Sequence, residues 1–161
     1  MQRIIIGCDN AGVAMKRAII QFLEDEGVPY EDIGVNSEKD ESMYPLIAEE
    51  VSMRIIQSGY QAEGILICGT GIGMAIAANK FPGIYAAVCH DIYSTERARL
   101  SNNTNVITIG ARVIGIELAK RLVKEWLHLK FIPGSSSPKV DRIKELEKRN
   151  YNQIPPIKKE S

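Results

Sequence analysis

The sequence predicts an α/β fold: a three-layer sandwich with a five-stranded parallel sheet and a C-terminal helix. Two observations support this prediction. Five short apolar runs, each about as long as a buried strand, alternate with longer segments whose apolar residues have helical spacing. Glycine and other turn-forming residues follow most of these segments. Such alternation is typical of a parallel sheet covered on both faces and joined by right-handed crossovers, a Rossmann-like arrangement.

The first half of the chain contributes two strands and two helices to this prediction. Residues 3–8 (RIIIGC) are a brief β-branched run, as expected of a buried strand. Residues 13–26 have an apolar helical stripe, and Gly27 is positioned to end that helix. Residues 30–33 predict a weaker strand. A helix over residues 45–58 starts with a proline, which is tolerated at the first helical position.

The second half repeats the alternation three times and ends in a charged helix. Apolar runs predict strands at residues 64–68 (GILIC), 85–89 (YAAVC) and 106–109 (VITI). The helices predicted between and after them cover residues 74–79, 93–100, 114–127 and 139–150. The sequence alone does not predict the order of the strands.

Composition limits the classes of protein that this chain can be. Its 161 residues predict one domain, residues 1–150, followed by a loose tail at 151–161. The 20 basic and 20 acidic side chains balance, which argues against nucleic acid or a membrane surface as partner. No apolar run is long enough to span a bilayer. Three cysteines without a C-x-x-C pair predict neither a disulfide framework nor a metal cluster, so we expect a reduced, cytoplasmic protein.

Polar residues gather where the predicted strands end. In open α/β sheets, ligands bind outside the carboxyl ends of the strands. The most informative end is the turn after residue 68, where Gly69, Gly71 and Gly73 let the backbone approach a ligand closely. The helix that follows directs free N–H groups at an anion. The turn lacks the third glycine of a dinucleotide fingerprint and the G-K-[ST] of a P-loop, so anion or enediolate binding is favoured over a purely structural turn.

Cys68 precedes this glycine turn and is the candidate base or nucleophile. A thiol at a helix N-terminus ionises more readily than a free thiol. Cys8 and Cys89 also end predicted strands, but neither begins a glycine-rich turn, and we expect both to be core residues.

Two further strand ends contain ionisable groups. Asp9 either caps the next helix or binds substrate hydroxyls, and both uses stay open at this stage. His90 and Asp91 are adjacent on a strand and therefore point to opposite faces, so we expect one of them to face the site.

Three segments together resemble a known family. Residues 64–82, GILICGTGIGMAIAANKFP, combine a CGTGxG strand-turn with an ANK helix, and residues 102–106 (NNTNV) and 110–115 (GARVIG) add to the pattern. These segments resemble the type B ribose-5-phosphate isomerases and the related galactose-6-phosphate isomerase subunits, over residues 3–150. The resemblance implies an aldose–ketose isomerase that acts on a phosphorylated sugar through a cis-enediol. It further implies no metal or organic cofactor, and a homodimer or dimer of dimers with shared sites.

The resemblance also implies roles for individual residues. Cys68 would be the base that moves a proton between C1 and C2, Thr70 would assist at the sugar oxygens, and the turn amides would stabilise the enediolate. The residues implied in substrate binding are Asp9, Asn10, Gly69, Gly71, Gly73, Asn102, Arg112 and Lys139.

The chain departs from the family pattern at several positions, and its Ser135 and Ser136 stand in the segment where the family has an arginine and a histidine for phosphate. Asn10 and Ser101 stand where relatives active on ribose commonly have histidines, the second of which opens the furanose ring, and Lys139 replaces an arginine of the phosphate segment. One interpretation is that His90 supplies the ring-opening acid for a pentose. The other is that the substrate is a tetrose 4-phosphate such as erythrulose 4-phosphate, which cannot close a furanose. A nucleotide-binding module and a non-catalytic sugar-phosphate sensor are the remaining alternatives.

Overall fold

The computed structural model describes residues 2–151, and its sheet contains five strands. The strands are β1 (Arg3–Cys8), β2 (Tyr30–Gly34), β3 (Ala62–Cys68), β4 (Ala86–Val88) and β5 (Val106–Gly110). The helices are α1 (Val13–Asp25), α2 (Tyr44–Gln57), α3 (Ile72–Ala78), α4 (Ile92–Leu100), α5 (Ile116–His128) and α6 (Ser137–Tyr151).

All strand pairs are parallel, and the strand order is β2-β1-β3-β5-β4. The predicted α/β fold is therefore confirmed. From β1 the chain crosses to β2, which lies at one end of this strand order. From β3 it crosses in the opposite direction to β4, which lies at the other end, beyond β5. The carboxyl ends of β1 and β3 thus flank the point where the direction of winding reverses, which is where open α/β sheets bind ligands.

Two apolar clusters cover the two faces of the sheet. Because side chains alternate along a strand, Ile4, Ile6 and Cys8 face one cluster with α1 and α5, whereas Ile5 faces the other with α2. The first cluster includes the fully buried Trp126 of α5. Helices on both faces give the predicted three layers.

Helix α6 lies beside the amino ends of β4 and β5. Glu147 accepts hydrogen bonds from the Gly83 amide, at 3.0 Å, and from the Tyr85 hydroxyl, also at 3.0 Å. The Tyr151 hydroxyl donates to the carbonyl of Lys80. The helix begins two residues earlier than predicted because Pro138 fits its first turn. Of the predicted tail, residues 152–161 lie outside the described residues.

The bounds of most other elements agree with the sequence prediction to within two residues. The main addition is a short 3₁₀ turn, Asn10–Gly12, between β1 and α1. Gly12 packs there against β3, since a Cβ on it would lie 2.8 Å from the Ile67 side chain. Within residues 2–151, no helix has the length and apolarity required to cross a membrane.

Candidate active site

The glycine turn after β3 has a main-chain geometry that favours glycine. Gly71 has φ +77°, a left-handed conformation that other residues rarely adopt. A Cβ there would also lie 3.0 Å from the backbone of Ile109 in β5. The buried Thr108 hydroxyl donates to the Gly71 carbonyl at 2.8 Å, so β5 fixes the turn from its other side.

Cys68 lies directly under this turn. The Gly71 amide donates to the Cys68 Sγ at 3.1 Å, and an N–H donor is complementary to negative charge on sulfur. The Thr70 side chain is exposed, and its Oγ1 accepts from the Ile72 amide at 3.3 Å, which leaves its O–H free to donate to a ligand. The turn therefore presents a thiol, a hydroxyl and main-chain amides at one point.

The other two cysteines occupy a different environment. Cys8 and Cys89 pack into the apolar cluster on the α1 and α5 face, whereas Cys68 belongs to the cluster on the α2 face. Burial raises the pKa of the Cys8 thiol to about 12 and that of Cys89 to about 11. Both are thus held as neutral core thiols, in agreement with the sequence interpretation.

The raised pKa of Cys89 predicts a loss of stability in alkali. Above the ordinary thiol pKa of 9.0, the unfolded chain releases this proton while the folded chain keeps it, so stability falls as the pH rises from 9 towards about 11. We expect the free energy of unfolding of the wild type to fall by about 1 kcal/mol more than that of Cys89→Ala between pH 8 and pH 10. Urea titrations at both pH values measure this difference, and equal losses in the two proteins would contradict the prediction.

The segment after β5 folds back over the glycine turn. Ala111 and Arg112 donate their amides to the carbonyls of Cys68 and Gly69, at 2.8 and 3.0 Å. The Arg112 guanidinium lies beside Gly69, because a Cβ on that glycine would be 3.4 Å from Nη1. One predicted phosphate-binding residue is therefore close to the predicted base within a single chain.

Gly110 is the point of closest approach between this segment and the turn. A Cβ on Gly110 would lie 2.7 Å from the Thr70 backbone, which is shorter than van der Waals contact allows. We expect Gly110→Ala to displace the turn, to lower kcat at least tenfold and to destabilise the fold by about 1–3 kcal/mol. Gly134→Ala is a matched control, since among the described residues no atom beyond its two chain neighbours lies within 4 Å of its Cβ position. Similar kcat values for the two variants would argue against the role given to this contact.

Asp9 and Asn10 follow β1 at the same edge of the sheet. The Asp9 amide donates to the carbonyl of Ile67 at 3.2 Å, which places Asp9 beside β3. Its Oδ1 accepts from the Ala11 amide at 3.0 Å, so this carboxylate caps the 3₁₀ turn. Within residues 2–151 its other oxygen accepts no hydrogen bond, so the capping and binding roles are compatible. Asn10 is exposed next to it.

His90 lies at the end of β4 and is committed to a main-chain contact. Its Nε2 accepts from the Gly110 amide at 2.8 Å, which requires the neutral tautomer with its proton on Nδ1. Burial lowers the pKa of His90, in keeping with that neutral form. Asp91 points elsewhere and caps α4 by accepting from the Ser94 amide at 2.7 Å. Of His90 and Asp91, His90 is therefore the residue directed towards the carboxyl edge of the sheet, where it contacts Gly110 at the end of β5.

Asn102 and Lys139 lie away from Cys68 of the same chain. Asn102 follows α4, which returns the chain to the amino end of β5, so it lies at the edge of the sheet opposite Cys68. It lines a groove of about 210 Å³ together with Ala86, Val140 and Ile143. Lys139, exposed, precedes Val140 in α6. One chain therefore does not bring these two residues to its own Cys68.

Tyr44 is a site residue that the sequence interpretation missed. A Cβ on Gly73 would lie 2.5 Å from the Tyr44 ring, so this ring covers the first turn of α3. Its location at the carboxyl edge of the sheet could have been inferred, because α2 begins there, but its contact with Gly73 depends on the packing of α2 beside α3. Among residues 2–151, no group of three His, Cys, Asp or Glu side chains could hold a metal ion.

The fold and this site define a class of enzyme. A thiol that can act as a base in its thiolate form lies next to amide and hydroxyl donors that can stabilise a developing oxyanion, at the ligand-binding edge of a parallel sheet. These are the groups that an aldose–ketose isomerase needs. The chain belongs to the ribose/galactose isomerase family, whose model matches residues 4–143.

Individual relatives agree with this family over nearly their full length. The chain is 46% identical to ribose-5-P isomerase B of Listeria innocua, over 92% of this chain and 99% of the relative. It is 44% identical to D-erythrulose-4-phosphate isomerase of Pectobacterium atrosepticum, over 95% of this chain and 100% of the relative. The solved structure of ribose-5-phosphate isomerase B from Clostridium thermocellum superposes with a TM-score of 0.87 at 38% identity, covering 92% and 99% of the two chains.

Proposed function

We propose that this chain interconverts the aldose and ketose forms of a phosphorylated sugar through a cis-enediol, with Cys68 as the base. The observation that supports this most directly is the hydrogen bond from the Gly71 amide to the Cys68 Sγ, at the start of a turn lined by further amides. An anionic sulfur held in this way can take a proton from a carbon next to a carbonyl. The enzyme class of the family fits this chemistry.

The proton movements balance within the substrate. The Cys68 thiolate removes the proton from one of C1 and C2, and the electron pair of that C–H bond becomes the carbon–carbon double bond of the enediolate. The Gly71 amide holds the sulfur, and the neighbouring amides of Gly69 and Gly73 stabilise the negative oxygen, to which such donors contribute about 3–4 kcal/mol each. Thr70 moves the hydroxyl proton between the two oxygens, and the thiol returns its proton to the other carbon.

Ribose 5-phosphate and ribulose 5-phosphate are the first substrate pair, on the strength of the Listeria relative. Two observations favour a second pair, erythrose 4-phosphate and erythrulose 4-phosphate. Ser101 cannot act as the acid that opens a furanose, and the Nε2 of His90 already accepts from the Gly110 amide. A tetrose 4-phosphate reacts in its open form and needs no such acid, and the Pectobacterium relative is named for that substrate.

Parallel kinetics on the two substrate pairs test the function and choose between them. Isomerisation of either pair, with exchange of a solvent proton into the recovered substrate, supports the enediol mechanism. A kcat/KM that is at least tenfold higher for erythrulose 4-phosphate selects the tetrose, and the reverse ratio selects the pentose. Binding without turnover of any sugar phosphate would overturn the proposal in favour of a sensor.

We further propose that two copies of the chain share each active site in a homodimer, alone or as a dimer of dimers. Cys68 and Asn102 lie at opposite edges of the sheet in one chain. A second copy can place its own Asn102 and Lys139 against Cys68. Large exposed apolar side chains, including Met43, Ile72 and Ile76, surround the Cys68 edge and are suited to such an interface. The three free thiols suit a cytoplasmic setting.

Mixing two inactive variants tests the shared site. Cys68→Ala and Asn102→Ala each lose activity alone, but a mixed dimer has one site with neither substitution. After the two are denatured and refolded together, we expect about a quarter of the wild-type activity, because half of the dimers are mixed and each has one intact site. Persistent inactivity in refolded dimers would place Asn102 and Cys68 of the same chain in one site.

A further inference from the structure

Arg97 lies in the last turn of α4, beside the segment that contains Ser101 and Asn102. Its Nη1 donates to the Ser101 Oγ at 3.3 Å, and its carbonyl accepts the amides of Ser101 and Asn102, at 2.9 and 3.2 Å. Its guanidinium carbon is 6.0 Å from the centre of the Tyr93 ring, which is 70% exposed. The side chain and the Asn102 turn are therefore fixed relative to each other.

The Arg97 guanidinium has N–H groups that its contacts within residues 2–151 do not use. It has five N–H bonds. Nη1 bonds Ser101, Nη2 bonds Glu96 at 2.7 Å, and the buried Nε has no partner within residues 2–151. A buried donor without a partner is uncommon in a folded protein. The side chain as a whole is 39% exposed, so the group remains accessible from outside the chain.

Arg99, two residues further along α4, provides a contrast. Its guanidinium is 4% exposed and donates to Glu63 and to the carbonyls of Thr104 and Trp126, so its charge is used inside the fold. Arg97 points away from this cluster, towards Ser101. Of these two arginines, Arg97 is the one that can meet a ligand.

We propose that Arg97 is a specificity-determining residue that enters the neighbouring copy's active site with Asn102 and binds the phosphate end of a short, open-chain sugar phosphate. This inference rests on the shared site proposed above. A guanidinium binds phosphate through two parallel N–H···O bonds, and Nη1 and Nη2 each have a second N–H that the bonds to Ser101 and Glu96 do not use. Ser101 holds it in place, and Tyr93 supports one side of it.

The same group makes the site a poor one for closed sugars. A guanidinium keeps its proton in proteins, so Arg97 cannot donate one to a ring oxygen. It also occupies the space beside residue 101, where a side chain able to donate a proton would have to lie. The site should therefore prefer a substrate that never closes a ring and whose phosphate lies one carbon nearer to the reacting carbons.

Steady-state kinetics of Arg97→Leu and Arg97→Lys test the inference. For erythrulose 4-phosphate, we expect Arg97→Leu to lower kcat/KM about ten- to a hundredfold, mainly through a higher KM, because one charged hydrogen-bonding group is lost. Arg97→Lys should recover part of that loss by restoring the charge without the planar fork. Ser101→His should raise kcat/KM for ribose 5-phosphate more in the Arg97→Leu background than in the wild type.

The controls separate this inference from the proposed function. Arg121→Leu removes an exposed arginine of α5 and should leave KM unchanged. Circular dichroism and molecular mass in solution establish that each variant folds and assembles as the wild type does. If the wild type isomerises erythrulose 4-phosphate but Arg97→Leu alters its KM less than twofold, the inference is wrong and the proposed function stands. If the wild type turns over no sugar phosphate, the proposed function is wrong, and the inference about Arg97 is wrong with it.

Discussion

Cys68→Ala should lower kcat for isomerisation by about three to four orders of magnitude, because alanine cannot accept the proton that the reaction removes from carbon. The substituted side chain is small and buried, and the Gly71 amide that donates to Sγ would face a methyl group instead. Substrate binding should persist, since the Thr70 hydroxyl, the amides of the glycine turn and Arg112 stay in place. The measurement is turnover, together with solvent deuterium exchange into substrate and a substrate-binding titration.

Cys89→Ala is the matched control for this prediction. Cys68 is the last residue of β3, Cys89 directly follows β4, and both thiols are buried. Cys89, however, lies in the apolar cluster on the other face of the sheet, and burial raises its pKa to about 11. Its removal should cost stability and leave kcat within about threefold of the wild type. Turnover and proton exchange that survive in Cys68→Ala would show that another group is the base.

The cysteine assignment shows what the sequence could establish. The glycine turn after Cys68 distinguishes it from both Cys8 and Cys89, and the structure places Cys68 in the cluster on one face of the sheet and the other two in the cluster on the opposite face. Local patterns were sufficient there because strand, turn and helix follow one another directly in the chain. The strand order, in contrast, depends on crossovers between distant segments, and a single sequence contains no direct signal for them.

Residues that depend on packing were less accessible to prediction. Tyr44 covers Gly73 only because α2 packs next to α3, and Thr108 holds the glycine turn only because β5 is the neighbour of β3. The sequence motif groups Asn102 with Cys68, whereas the fold places them at opposite edges of the sheet. Asn102 and Cys68 come together when two chains form one site, and a single sequence gives no geometric indication of such a shared site.

The second large effect is expected at the buried ion pair beneath the Asn102 turn. Both Glu63 oxygens accept from Arg99 Nη2 at 2.7 Å, and the guanidinium carbon is 4.1 Å from the centre of the Trp126 ring. Arg99 Nη1 also donates to the Thr104 carbonyl at 2.6 Å. Arg99→Met would leave the Glu63 carboxylate buried without this partner, and we expect it to lower the free energy of unfolding by about 3–5 kcal/mol.

Urea unfolding at one fixed protein concentration measures this loss, since assembly also contributes to stability. The exposed pair of Arg142 and Glu145 is the control, and Arg142→Met should change stability by less than about 1 kcal/mol. Adding Glu63→Gln to Arg99→Met should recover part of the loss, because the uncompensated charge is removed. A loss below about 1 kcal/mol in Arg99→Met would mean that water or Lys130, 3.8 Å from Glu63, compensates the carboxylate. The Asn102 turn would then owe its position to main-chain hydrogen bonds rather than to the ion pair.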